Sequence, residues 1–311
     1  MTLLYRDDRF LLHRTGSHPE CPERLKSIHA MLQRSGLQNR CTLPEVLPAA
    51  DADILRVHPE HHLRNIREFA ADGGGRIEVD TLMSPESAAV ATLAVGAAVD
   101  AVTRVVSGED STALCLVRPP GHHAVPEGAM GFCLLGNAAI AARTAVQRLG
   151  LNRVLVVDWD VHHGNGTQDV FYEDEQVGFL SAHRFPFYPG TGRKSETGSG
   201  NGLGTTFNLP LEFGTSRKDY LSAFENMLTR AADWIKPELV IVSAGFDAHA
   251  DDPVGSLGLE TEDFQSLTEL ILQVASTHCG GRLVSILEGG YHVDRLTDCV
   301  ESHLTMLLGQ L

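Results

Sequence analysis

A chain of 311 residues with 43% hydrophobic and 21% charged side chains has globular proportions, which exclude disorder and fibrous classes and allow one large α/β domain or two ordinary ones. Its formal net charge of −15 disfavours non-specific nucleic-acid binding and favours a cationic substrate or partner, although such a charge also serves simple solubility. No apolar run approaches the roughly 20 residues of a membrane helix, and charges interrupt MTLLYRDDRFLLHR where a secretory leader has its apolar core. Six widely spaced cysteines without a CxxC argue against a zinc ribbon or disulfide framework. They point to a reducing compartment, here the cytoplasm, with Cys115 and Cys133 as small core residues.

Near the N-terminus, His18-Pro19 and Cys21-Pro22 impose extended backbone before each proline, and Pro22 suits the first turn of a helix ending near Arg34 and stopped by Gly36. The stiff polar loop 18–23 has two readings, one lip of a site or a plain connection. A helical pattern over 51–69 is followed by a flexible loop at 71–76. Ser84-Pro85-Glu86-Ser87 opens a long Ala/Val helix to about Ser107, apolar on most sides and so expected to be buried. Residues 112–117 read as a short buried strand, after which Asn137 is expected to cap an alanine-rich helix to about Leu149. Val154 to Val157 predict a strand buried on both faces, and residues 177–181 another that ends at His183. The loop 184–204 carries eight Pro or Gly residues and is long enough to be functional. Helices near 217–235, 260–275 and 294–308 alternate with strands at 239–243 and 282–287. This alternation predicts a mostly parallel sheet with helices on both faces, in one domain over 1–311, with ligands outside the carboxyl ends of its strands.

Four of these strands end in residues that a sheet interior does not hold without partners. They are His122 and His123; Asp158, Asp160 and His162; Asp247; and Tyr291. Asp160 and His162 are two apart and project to the same side of a strand-like backbone. With Asp247 they make three ligands and leave a fourth position open, the arrangement of catalytic zinc, although two carboxylates and an imidazole also suit Fe²⁺ or Mn²⁺. Such a metal activates water and polarises a carbonyl. His122 and His123 could then act as base and acid, Tyr291 as donor to an oxyanion, and Asp158 as the carboxylate that orients a histidine. Together these specify amide or ester hydrolysis without a covalent intermediate, and no GxSxG elbow competes. Each residue alone has a blander reading, as a core tyrosine, a helix-capping aspartate or a histidine pair in a turn. Their coincidence at separate strand ends favours a site.

RPPGHHA (118–124), GFCLLGN (131–137), VDWDVHHGNGTQ (157–168), FYPGTG (187–192), SAGFDAH (243–249) and LEGGY (287–291) resemble the zinc-dependent histone deacetylase superfamily, including its bacterial deacetylase-like and acetylpolyamine amidohydrolases. HPECPERL (18–25) is similar to the family's N-terminal loop, and Asn165 resembles the class II branch. The resemblance implies a three-layer arginase–deacetylase α/β fold with Zn²⁺ on Asp160, His162 and Asp247. By the same carry-over His123 is general base and acid, His122 paired with Asp158 an electrostatic partner, and Tyr291 the catalytic tyrosine. Phe132 and Tyr188, with Gly131, match the walls of a tunnel for an acylated aliphatic amine; the second wall is commonly Phe, so Tyr188 is a departure. A structural K⁺ near Asp158, Asp160, His162 and Ser181 is also implied. Val254 stands where polyamine-selective relatives carry Glu, and its apolar side chain cannot attract a second ammonium group. Asp80 aligns loosely with the carboxylate that grips the substrate backbone.

The expectation is therefore a hydrolase that removes acetyl or other short acyl groups from lysine side chains of a protein or peptide. Alternatives are an acetylpolyamine or other small-amide hydrolase and, from another class, a non-catalytic acyl-lysine binding module. Neither nucleic acid nor membrane is an expected partner, and the sequence specifies no oligomeric state.

Overall fold

The computed structural model describes residues 1–309. Among them the first half of the chain forms β1 (Thr2–Tyr5), α1 (Glu23–Ser35), β2 (Cys41–Thr42), α2 (Asp51–Ile54), α3 (Glu60–Ala71), a small antiparallel pair β3 (Gly75–Arg76) and β4 (Leu82–Met83), α4 (Ser87–Ser107), β5 (Thr112–Cys115) and α5 (Asn137–Gln147). The second half forms β6 (Val154–Asp158), α6 (Asn165–Phe171), β7 (Val177–Arg184), β8 (Thr206–Leu211), α7 (Arg217–Ile235), β9 (Leu239–Ala244), α8 (Thr261–Cys279), β10 (Leu283–Leu287) and α9 (Val293–Leu307). Eight strands make one sheet in the order β2-β1-β5-β10-β9-β6-β7-β8, with every neighbouring pair parallel. This is the expected α/β arrangement, a parallel sheet with helices around it. The central four, β5, β10, β9 and β6, are buried along their whole length, and their Val, Leu and Ile runs suit strands covered on both faces. They are also the four strands that end in the ionisable residues.

Several boundaries differ from the sequence reading. The helix expected over 51–69 is two, because Pro59 cannot continue the first; it precedes α3 in an extended conformation. Asn137 is the first residue of α5 rather than its cap, and its Nδ2 donates to Pro119 O at 3.1 Å. β8 lies just beyond the long glycine-rich loop; its Pro210 is tolerated because it is an edge strand. The expectation that no apolar run reaches membrane length is also corrected. α4 has 21 residues with hydropathy 1.7 in its most apolar window, of which 72% is buried within the protein. The helix is apolar all round because both sides are covered. Ala94, Ala97, Ala98, Ala101 and Val102 join the main core, while Ala88, Ala91, Val95 and Val99 meet a second cluster with Ile54, Leu63, Ile66 and Ile140.

Residues 126–136, which carry one wall of the site described below, are pinned by buried histidines. His58 Nε2 accepts from Gly136 N at 2.9 Å, so the proton sits on Nδ1, 2.9 Å from Pro126 O; His62 Nε2 lies 2.9 Å from Leu134 O. Burial pushes His58 down from 6.5 to about 4, and His303 to about 3. A folded pKa below the unfolded one means that the unfolded chain takes the proton first as pH falls. Stability is thus full above about pH 6.5 and falls toward pH 4, with His58 accounting for roughly 3 kcal/mol at most. The thermal midpoint of the wild type is expected to drop between pH 7 and pH 5, and to drop less in His58→Gln. An identical pH slope in the variant would contradict this account.

Candidate active site

β6 ends at Asp158, so Asp160 and His162 lie in the loop after the strand, as expected of residues at a strand end, but on bent backbone rather than the strand-like backbone used to pair them. They still converge with Asp247, which follows β9: the three residues offer ligand atoms within 4.8 Å of one another, all buried. His162 Nδ1 stands 3.0 Å from Asp160 Oδ1 and 3.0 Å from Asp247 Oδ2. Main-chain donors fix the carboxylates. Asp160 Oδ2 accepts from Gly289 N at 2.8 Å, Asp160 Oδ1 from His162 N at 2.9 Å, and Asp247 Oδ1 from Val161 N at 2.8 Å. Asp247 Oδ2 is buried without a hydrogen-bond partner of adequate geometry. Only glycine fits at 289, where a Cβ would collide with Asp247 Oδ2 and Asp160 Oδ2. Burial alone would lower the His162 pKa, but its hydrogen bond to Asp160 and the charge of Asp247 push it up to about 10. Two hard carboxylates, one imidazole and an unpartnered oxygen fit a divalent cation with N/O preference, Zn²⁺ or Fe²⁺.

His122 and His123 stand beside this cluster with ring centroids 3.9 Å apart and different partners. His122 Nδ1 lies 2.9 Å from Asp158 Oδ2, whereas His123 Nδ1 lies 2.7 Å from Asn165 Oδ1. Burial disfavours charge on both. For His122 the carboxylates of Asp160 and Asp158 reverse that and hold it well above 6.5; for His123 the neighbouring His122 and His162 add to it and hold it well below. The two rings are thus pushed in opposite directions, His122 toward the imidazolium and His123 toward the neutral form.

The cluster opens into a cavity of about 200 Å³ lined by Asp80, His123, Gly131, Phe132, His162, Phe187, Tyr188, Val254 and Tyr291. Every residue expected to touch substrate is therefore brought to one place. Phe132 meets Tyr291 edge-on at 5.6 Å, and Tyr188, 37% exposed at the mouth, meets His123 edge-on at 5.2 Å. Gly131 takes φ +56°, and a Cβ there would strike the His123 ring. Asp80 braces this wall: its Oδ1 accepts from Gly131 N at 3.0 Å and from Thr81 Oγ1 at 2.9 Å, and its carboxylate lies close enough to the Tyr188 phenol to push that hydroxyl's pKa up further than burial alone. Loop 18–23 is a lip of the site, since the His18 ring packs edge-on against Phe132 at 4.3 Å. Ser181 sits opposite Asp158 in the β6–β7 register, with its hydroxyl 3.0 Å from His183 Nδ1 rather than on the aspartate.

Four contributors were missed. Phe187 stacks on His162 at 5.2 Å and 17°, and its only signal was an aromatic residue beside Tyr188. Arg24, a charge on the apolar face of α1, donates to Gly290 O at 2.6 Å and Glu288 O at 2.5 Å, and its guanidinium lies 5.1 Å from the Tyr291 ring centroid. Glu20 holds Arg24 and Arg118 in place from loop 18–23. Glu288, an acid ending an apolar strand, accepts from Gly121 N at 2.6 Å and His122 N at 3.1 Å and so shapes the histidine turn.

The profile of the histone deacetylase domain family matches residues 18–307. The chain is 40% identical over 277 residues to the histone deacetylase-like amidohydrolase of Pseudomonas aeruginosa, covering 88% of this chain and 72% of that protein. It is 39% identical to histone deacetylase 10, chloroplastic, of Oryza sativa subsp. japonica, covering 99% of this chain and 73% of the other. Identity to the polyamine deacetylase HDAC10 of Homo sapiens is also 39%, over 99% of this chain and 48% of the human protein. Among solved structures, the HDA15 HD domain superposes with a TM-score of 0.94 at 37% identity, covering 99% of this chain and 88% of that one.

The Gly289 contact gives a direct test of the metal cluster. Zn²⁺ at about a hundred times its Kd is expected to stabilise the wild type by roughly 2.7 kcal/mol in thermal unfolding. Gly289→Ala is expected to show far less of that gain and to retain little metal after desalting. Equal metal content and equal stabilisation in both proteins would refute the assignment.

Proposed function

This chain belongs to the histone deacetylase family and is a hydrolytic deacetylase, and we propose that it removes acetyl or other short acyl groups from lysine side chains with Zn²⁺ as its metal. The observation that carries the proposal is the convergence of three candidate ligands, Asp160, His162 and Asp247, with an imidazole and a phenol that line one cavity with His162. Asp160, His162 and Asp247 would hold the Zn²⁺, with Fe²⁺ as the other candidate, and the bound ion supplies Lewis acidity that polarises the amide carbonyl and acidifies the attacking water. His123 is neutral and has Nδ1 engaged by Asn165, so Nε2 is free to take a proton from water and return it to the departing amine. The Tyr291 hydroxyl donates to the carbonyl oxygen as negative charge develops there. His122, charged on Asp158, stabilises that charge without moving a proton.

Phe132 and Tyr188 flank the aliphatic chain, Gly131 lets the wall close on His123, and the carboxylate of Asp80 accepts an N–H from the substrate backbone. A structural K⁺ near Asp158, Asp160, His162 and Ser181 would offset carboxylate charge that His122 does not balance. We infer one deacetylase domain over 1–311, and the six unbridged cysteines support a reducing, cytoplasmic location. The second reading is an acylated small amine as substrate, which fits the polyamine deacetylase among the relatives. Val254, lining the cavity with no charge for a second ammonium group, favours lysine.

Zinc-loaded protein is expected to cleave an acetyl-lysine peptide faster than acetylputrescine; the reverse order would move the assignment to small amines. Tyr291→Phe and His123→Ala are each expected to lower turnover by roughly a hundred- to a thousandfold with metal content unchanged. Near-normal rates in either would overturn the mechanism.

A further inference from the structure

Tyr291 stands on backbone that the sheet does not support. The β10 ladder ends at Leu287, Gly289 N is bonded to Asp160, and Gly290 takes φ +117°. The next two main-chain N–H groups both go to one side chain: Tyr291 N donates to Asp252 Oδ2 at 2.6 Å and His292 N to the same oxygen at 3.2 Å. The other oxygen of Asp252 takes Val254 N and Gly255 N, each at 2.9 Å. Asp252 is buried, and its neighbour Asp251 carries the surface ion pair with Arg295. Val254 and Tyr291, from separate segments, both line the reaction cavity.

We propose that Asp252 is a positioning residue of the reaction, whose carboxylate ties the Val254 wall to the Tyr291 backbone and so sets where the phenol stands. A carboxylate is needed because both of its oxygens must accept. An amide in its place turns an N–H toward one of the two pairs and leaves buried donors unpaired. The inference rests on the reading of Tyr291 as the donor to the developing oxyanion.

Asp252→Asn is nearly isosteric and separates positioning from bulk stability. With an acetyl-lysine peptide it is expected to lower kcat by roughly ten- to a hundredfold, a fraction of the loss of an oxyanion donor, with KM within about threefold. The deficit should shrink with the trifluoroacetyl-lysine peptide, whose more electrophilic carbonyl depends less on a donor. Added to Tyr291→Phe, the same substitution should cost less than about threefold, because the group it positions is already gone. Equal losses on both substrates, or an additive loss in the Tyr291→Phe background, would overturn the proposal. Should Asp252→Asn fail to fold, Asp252→Ser takes its place in the same comparisons. A crystal structure of the folded variant provides a readout independent of activity. Tyr291 displaced from Phe132 supports the proposal, and Tyr291 unmoved overturns it. If the wild type cleaves neither peptide, the functional reading fails, and the crystal comparison still decides the role of Asp252.

Discussion

Four carboxylates, Asp158, Asp160, Asp247 and Glu288, lie fully buried at the carboxyl ends of three adjacent strands. Taking such a charge out of water costs several kcal/mol per ion unless hydrogen bonds and counter-charges replace the solvent. Their charged side-chain partners here are His122 and His162. The Ser243 hydroxyl and backbone supply the rest: the Ser243 Oγ donates to Glu288 Oε1 at 3.1 Å, and the N–H groups of Gly121, His122, Asp160, Val161, His162 and Gly289 all point at these oxygens. The conformation of three strand ends is therefore set by where negative charge must be satisfied. The charge that remains makes the same point suited to a cation.

A parallel sheet makes this arrangement possible. Its strands all end on one side, so residues far apart in sequence meet without long excursions of the chain. The walls of the cavity come instead from loops, and each loop needs its own anchor. Asp80 and Thr81 bind the amides of Gly131 and Phe132, His58 and His62 hold the flanks of that segment, and Arg184 stacks on Phe187 while donating to Gly255 O.

Residues at the strand ends were legible in the sequence because an abrupt change from Val/Ile to Asp/His has no structural use. The four central strands and most helices followed from periodicity for the same reason. β1 and β8 were not legible: four residues beside a charged turn, and six interrupted by Asn208 and Pro210, resemble loop. Arg24, Glu288 and Asp252 escaped for a different reason. Each acts on backbone groups contributed by distant segments, and a hydrogen bond to a peptide N–H or C=O leaves no trace in the identity of the residue that provides it. Asp160 and His162 were paired on the alternation of a strand-like backbone, whereas a bent loop after the strand is what brings them together.

The paired histidines show how much the second partner decides. His122 and His123 are adjacent, equally buried and nearly in contact, and two imidazolium ions cannot share that space at little cost. Asp158 can neutralise a positive ring, whereas Asn165 can only accept its N–H. The proton therefore settles on His122, and the charge on His122 then opposes protonation of His123. A ring kept neutral at its cavity-facing nitrogen can accept a proton from water, and a ring kept charged can stabilise an anion. The nearby Asp160 carboxylate, with a carboxylate rather than an amide as the acceptor at His122 Nδ1, divides those two tasks between neighbours.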